Sequence, residues 1–551
     1  MTAAWLVATA ASLLAGLGPP GPPPAAAHAG VGQAIYLRGV LASGAPLEGS
    51  REGGLVTTGA DAACVNCHQR SGLGTVEGRV SVPPVTGDFL LHGQAHGGGE
   101  PELPYVETRR GDREPYTGAT LARAIREGLD SQGRPLSEVM PRYALGDGDM
   151  AALVSYLEKL DARKVPGVTE TVLHFATIVT PDADPVRRRG MLDVLEHYFA
   201  QKNRAPLKPT PPMQTSGKTQ YAKSMYMANR RWQLHVWELT GPASTWRAQL
   251  ERRLAAEPVY AVVSGLGGHT WAPVHEFCEQ NAIPCLLPNV EVPVVAEDDF
   301  FPLYFSKGVL LEAELIARSI LGSDRRPAAV EQLYRAGDSG EPAAAALTGA
   351  LRGAGVEVHR TVLPAGASAR QLSTALRKAA RRADAPGRAL VLWLRPADVA
   401  ALGEVPAGAA TVYLSGLMGG LERTPLPAAW RERTRMTYPF DLPDRRGVRL
   451  DYPLGWFSFT RIPLVAEQVQ TDTYLACSLL ADVLNRMADN FVRPYLIEQL
   501  QGLLEHRLIT GYYPRLSLAT HQRFASKGGY VVRFRGPAGP ALAPESDWVV
   551  P

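Results

Sequence analysis

Apolar positions follow a helical period up to about residue 160 and a mixed period beyond it. Leu121, Ile125 and Leu129 stand at i, i+4 and i+8, one face of a helix. Met150, Leu153, Val154, Leu157 and Leu160 form a second face. The helix carrying them is predicted to begin near Gly146 or Asp147, with Asp149 placed to help cap it. A short first helix is predicted over 32–40. Long Gly- and Pro-rich loops separate these helices.

A break over 161–170 contains Lys164, Pro166 and Gly167 and reads as a linker. Strand-like and helix-like runs then alternate. Strands are predicted over 172–179, 232–239, 259–264 and 283–287, and helices over 185–202, 245–256 and 270–280. The pattern restarts after Phe305, with helices over 310–321, 342–353 and 369–382. Strands over 329–334, 356–363, 388–394 and 411–415 go with them. Such alternation implies parallel sheets covered by helices on both faces, and two successive runs suggest two lobes.

The first residues change the picture by placing the chain in a compartment. Residues 3–17 are uncharged and mostly apolar, 18–24 are rich in Pro and Gly, and Ala27-His28-Ala29 has the small–x–small pattern of a signal-peptidase site. Residues 1–29 are therefore read as a signal peptide with Gly30 as the mature start, although the leader has no Lys or Arg. The run is short for a membrane span. No cysteine precedes Cys64 to carry a lipid, and no later stretch is apolar enough to cross a bilayer. The expectation is a soluble, exported, periplasmic protein. A net charge of +3 with scattered Arg pairs argues against a nucleic-acid partner.

Cys64-Val65-Asn66-Cys67-His68 carries the chemistry. C-x-x-C-H is the attachment pattern of c-type haem: each thiol adds to one vinyl group, and the adjacent imidazole is held to ligate the iron. A zinc half-site would need a second Cys/His pair at finger-like spacing, and none follows. One covalent haem c is expected on Cys64 and Cys67, with His68 as axial ligand, in a domain whose core is largely the porphyrin. Met140, before Pro141 in a loop between two predicted helices, is the candidate sixth ligand, and Met150, on the apolar stripe, is the weaker one. His92 and His96 in a Gly-rich loop are read as solvated. Cys278 and Cys285 are candidates for a local disulfide in an oxidising compartment, against the alternative of buried thiols, and Cys477 reads as a buried inert thiol.

The order C-x-x-C-H, helix, Met140-Pro141, final helix resembles class I cytochrome c over about 130 residues. The resemblance implies an all-α haem domain at 30–162 with His68 and Met140 as the axial pair. It likens Pro83-Pro84 to the segment lining the proximal side, and Gly32 and Tyr36 to the first-helix face that crosses the last helix near Tyr156. The run 86–116 is longer than that family needs.

After the linker at 163–170, residues 171–540 resemble the type I periplasmic solute-binding fold of branched-chain amino-acid receptors, through 259–293, 330–364 and 472–484. Residues 541–551 read as a tail. The resemblance implies an α/β domain of two lobes with a small ligand between them, at the carboxyl ends of strands. Ser264, Gly265, Thr270, Trp271, Asn289, Tyr304, Trp393, Arg395 and Ser415 stand at such ends. Ser264-Gly265-Leu266-Gly267-Gly268-His269 lacks the paired Ser and following Thr that grip an α-carboxylate in those receptors. The expected function is single-electron transfer, serving a dehydrogenase or another cytochrome, with the second domain binding a small ligand or docking the partner. The alternative is a transporter's solute receptor with an accessory haem. No acid/base pair or nucleophile constellation stands beside the haem motif, so enzymatic activity is not expected.

Overall fold

The structure, a computed structural model, describes residues 25–77, 80–91, 113–160, 165–204, 230–296, 298–383, 387–403, 411–487, 490–519, 522–536 and 541–551. The expectations for most of the leader, for His92 and His96, and for most of the 86–116 insertion lie outside them. The described residues divide into two compact units, one up to Leu160 and one from Val165 onward. Among them, no helix is long and apolar enough to cross a membrane.

In the first unit the helix Ala25–Arg38 begins before the expected mature start, Gly30. It crosses the helix Asp147–Lys159 at Gly32, where a Cβ would lie 2.1 Å from the Ala152 carbonyl oxygen. Tyr36 packs its ring 5.3 Å from that of Tyr156. The helix Gly118–Glu127 starts on Thr117, whose hydroxyl accepts from the Thr120 amide while its own amide donates to Thr120 Oγ1. It ends at Gly128 with φ +72°, so Leu129 lies beyond the helix it was expected to extend. Asp149 does not cap its helix, which starts on Gly146 without a side-chain cap. It accepts instead from the Ala42 amide at 2.9 Å, tying a distant loop.

This unit is not all-α. Glu48–Ser50 pairs antiparallel with Val56–Thr58 and with Arg142–Tyr143, and Thr75–Glu77 pairs with Val80–Val82. Strands of two or three residues are too short to print a period of two, so the pattern passed over them.

The second unit holds two sheets. The first is wholly parallel, in the order Pro302–Leu303, Cys285–Leu286, Ala261–Val263, Val172–Val179, Arg231–Glu238. Helices Pro185–Asn203, Trp246–Ala256 and Ala272–Gln280 connect its strands. Asp184 starts the first of these by accepting from the amides of Val186 and Arg187, with Pro185 at the first helical position. The second sheet runs Glu357–Leu363, Ala329–Arg335, Arg388–Trp393, Val412–Leu414, Thr434–Tyr438, Tyr530–Phe534, Leu542–Pro544. Its first five strands are parallel and its last two antiparallel, so it is mixed. The segment 541–551 is thus no tail. Leu542–Pro544 is an edge strand, and Val549 bridges Gly529. The helix Glu467–Met487, buried over most of its length, packs on Pro185–Asn203 and on Arg493–Leu504.

Candidate functional site

The C-x-x-C-H segment forms one turn of helix, Val65–His68, started by Cys64. The amides of Cys67 and His68 both point back to the Cys64 carbonyl, at 3.3 and 3.0 Å. Gln69 leaves the turn with φ +62°, and the Tyr36 hydroxyl donates to its carbonyl at 2.7 Å. The first helix therefore anchors the reversal that aims His68 inward. The His68 ring is buried, with Nδ1 3.0 Å from the Pro83 carbonyl oxygen. An Nδ1–H donating there leaves Nε2 as the lone-pair nitrogen. Burial pulls this imidazole below its ordinary pKa, against the Pro83 carbonyl, and a neutral ring is what a metal ligand requires.

Cys64, His68, Pro83, Pro84, Met140 and Tyr143 line one cavity of about 290 Å³, closed on its apolar side by Leu121, Ile125, Leu153 and Leu157. The cavity is mostly apolar, and its two cations are Arg113 and Arg134. Met140 sits in a turn closed by its own amide on the Ser137 carbonyl at 3.0 Å. Met150 is buried in the core cluster beside Leu153 and Leu157 and does not line the cavity. Cys67 is half-buried one turn from Cys64. Among the described residues, no group of three or more His, Cys, Asp or Glu could hold a metal ion. The Cys64 thiol, a neutral imidazole and a thioether around an apolar cavity, with the Cys67 thiol one turn away and outside its lining, fit haem. Of the two arginines, Arg134 is paired with Asp130 of the same lining at 2.8 Å, and Arg113 suits a haem carboxylate.

Residues 57–161 match the family model for cytochrome c. They form a cytochrome c domain. Such a domain binds haem, normally covalently, and transfers electrons. No curated protein matches the chain.

In the second unit, residues from both sheets line a second cavity. Asn289 and Glu291 follow a strand of the first sheet; Leu417 and Phe440 follow strands of the second. Gln468 and Asp472 from the helix Glu467–Met487 complete it, together with Arg187, Phe305 and Tyr513. Of the nine residues expected at a ligand cleft, Asn289 alone lines this cavity.

The others are committed elsewhere. Ser264 is fully buried, with its hydroxyl 3.1 Å from Thr473 Oγ1 and accepting from Asn289 Nδ2 at 3.1 Å. Trp271 is a core residue, not a stacking platform: a Cβ on Gly265 or Gly267 would fall within 3 Å of its ring. Thr270 accepts from the Ala272 amide at the start of the following helix. Tyr304 is buried with its hydroxyl 2.6 Å from His275 Nδ1, and Trp393 is buried with Nε1 donating to Gln332 at 2.9 Å. Ser415 caps its own helix and bonds the buried Glu312. Arg395 is held by Glu291 at 2.7 Å and Asp338 at 2.5 Å. Strands buried on both faces explain these outcomes, because a side chain at a strand end can turn into a helix–sheet layer as readily as toward a cleft.

Glu291, Asp472 and Tyr513 are among the cavity residues that the pattern did not single out for binding. Burial opposes the charge on Glu291, but hydrogen bonds and charge from Arg395, with Arg187 at 3.1 Å, hold it at about 2. Asp472 has no such cation; burial pushes it up to about 7, against hydrogen bonds from Gln468 and Tyr513. The available signal was the polar run Gln468, Gln470, Thr471, Asp472 and Thr473 inside an otherwise apolar helix.

Cys278 and Cys285 are not bridged. Both are free, buried thiols in the core of the first sheet. Cys477 is also free and buried, and burial pushes its thiol up.

Solved substrate-binding proteins are similar in backbone to most of the chain. A fatty acid ABC transporter substrate-binding protein from Thermomonospora curvata matches 71% of this chain and 95% of its own, at 14% identity and TM-score 0.48. The leucine-binding protein LivK from Thermotoga maritima matches 68% and 98%, at 13% and 0.47. The branched-chain amino acid transporter substrate binding protein LivJ from Streptococcus pneumoniae matches 69% and 100%, at 10% and 0.48.

Proposed function

We propose that this protein is a periplasmic electron carrier with one covalent haem c, joined to a two-lobed module that binds a small ligand. The observation that carries the reading is the cavity shared by Cys64, His68 and Met140, with the His68 tautomer set by Pro83. Haem supplies a one-electron ferric–ferrous couple when bound. Cys64 and Cys67 would hold it covalently, and His68 and Met140 would ligate its iron. Leu121, Ile125 and Leu153 line the cavity's apolar side. This arrangement favours electron transfer over substrate chemistry at the iron. The electron partner is a periplasmic dehydrogenase or another cytochrome. Visible spectra of the purified protein test this: a low-spin, six-coordinate spectrum supports it, and a wild type that is high-spin and binds added cyanide readily sinks it.

The second cavity favours a further reading, a solute receptor for transport with the haem as accessory. A thermal-shift screen against small metabolites checks it, because a ligand that binds the folded form alone raises the melting temperature.

A further inference from the structure

We infer that the second cavity binds a small alkylammonium ion, anchored by the carboxylate of Asp472 and walled by Phe305, Phe440 and Tyr513. The inference rests on the reading that this module takes a small ligand, and it names the class.

The Asp472 side chain is buried, with 2% of the residue exposed, and lines the cavity. Its Oδ2 accepts from the Tyr513 hydroxyl at 3.2 Å and from Gln468 Nε2 at 3.3 Å. Its Oδ1, equally buried, has no hydrogen-bond partner. A buried carboxylate oxygen left in this state costs free energy that a donor from a ligand recovers. That donor should carry charge, because the protein supplies none. Arg187, the cation of the lining, is paired with Glu291, and Arg395 with Glu291 and Asp338. No salt bridge reaches Asp472 among the described residues. A neutral alcohol would satisfy Oδ1 but leave the buried charge uncompensated, and an anion would be repelled.

The walls agree. Tyr513 stacks on Phe305 with ring centroids 5.2 Å apart and meets Phe440 at 5.4 Å. Aromatic rings beside a carboxylate are the chemistry that recognises organic ammonium ions. The free volume is about 50 Å³, and one water needs roughly 10–15 Å³ of such space, so the ligand has only a few heavy atoms. A branched amino acid is too large. Its carboxylate would also find the Ser264 hydroxyl already engaged by Thr473 and Asn289.

Asp472 is half-protonated near pH 7, whereas Glu291 stays ionised beside its arginines. An ammonium ion therefore replaces the proton on Asp472. Calorimetry on the whole haem-loaded protein tests this with methylammonium and ethylammonium chloride, against methanol, ethanol and acetate. The ammonium salts should bind, releasing protons at pH 6 and none at pH 8.5, and Asp472→Asn should weaken binding at least tenfold. Should that variant fail to fold, the wild-type proton release decides alone. The inference is overturned if no ammonium salt binds, if no proton is released at pH 6, or if the alcohols bind equally well. When a sugar or organic acid binds instead, this inference fails and the ligand-binding reading stands; when nothing in a broad screen binds, both fail.

Discussion

The Nδ1 of His68 lies 3.0 Å from the carbonyl oxygen of Pro83, fifteen residues along the chain. The bond settles which ring nitrogen is free for iron. Pro83 presents this carbonyl because it precedes Pro84, which confines it to extended backbone. Pro84→Ala should loosen the bond and make the imidazole a poorer donor, raising the haem's reduction potential. Pro83→Ala keeps both the carbonyl and Pro84, and should leave the potential nearly unchanged. Redox titration of the two variants checks the contrast.

Met140→Ala should convert a low-spin spectrum to high-spin and lower the potential, within the roughly 0.8 V that axial ligands command. Met150→Leu, a volume-conserving change in the core, should leave the spectrum intact and cost less than about 1.5 kcal/mol. Ferric and ferrous visible spectra read both.

Cys278, Cys285 and Cys477 should be unreactive toward a thiol reagent in the native protein, and all three should react after denaturation. Burial raises the thiols of Cys278 and Cys477 and so withholds the reactive thiolate. One reactive thiol in denaturant, instead of three, would show that Cys278 and Cys285 form a bridge in the mature protein.

Two carboxyls of the second cavity should act on stability in opposite senses. Asp472 is raised from 3.8 to about 7, so the folded state binds its proton more tightly, and stability falls as pH rises from about 4 to about 7. Asp472→Asn removes this dependence and should stabilise the protein at pH 8, by at most about 4 kcal/mol. Glu291 is lowered from 4.5 to about 2, so its contribution is present above pH 4.5 and is lost as pH falls through about 2. Glu291→Gln should destabilise at pH 7 by less than about 3 kcal/mol, since Arg187 and Arg395 are each about a third exposed and solvent screens the pairs. Urea melts across pH measure both.

Trp271→Ala should cost about 3–5 kcal/mol, as for a core aromatic, and leave ligand affinity unchanged after correction for unfolded protein. Thr473→Val removes a hydroxyl shared by Ser264 and Asn289, and should cost about 1–3 kcal/mol. It should also weaken ligand binding, because Asn289 lines the cavity. Denaturant melts and calorimetry separate the two effects.

What the sequence determined by itself is local. Five consecutive residues specify covalent haem, because two thiols and an imidazole at that spacing have one common use in an exported protein. The period of apolar positions located most elements of the second unit within a few residues, from Val172–Val179 to Val412–Leu414. Tertiary structure decided the rest. The short strands around Gly49 and Tyr143, and the pairing of Tyr530–Phe534 with Thr434–Tyr438, depend on partners far along the chain. The binding residues depended on it most. A strand buried on both faces reads as a continuous apolar run, so the sequence does not show that Trp271, Tyr304 and Trp393 turn into the core. Nor does it show that Asn289 and Asp472 face one cavity, since the meeting of two sheets and a late helix brings them together, not any spacing along the chain.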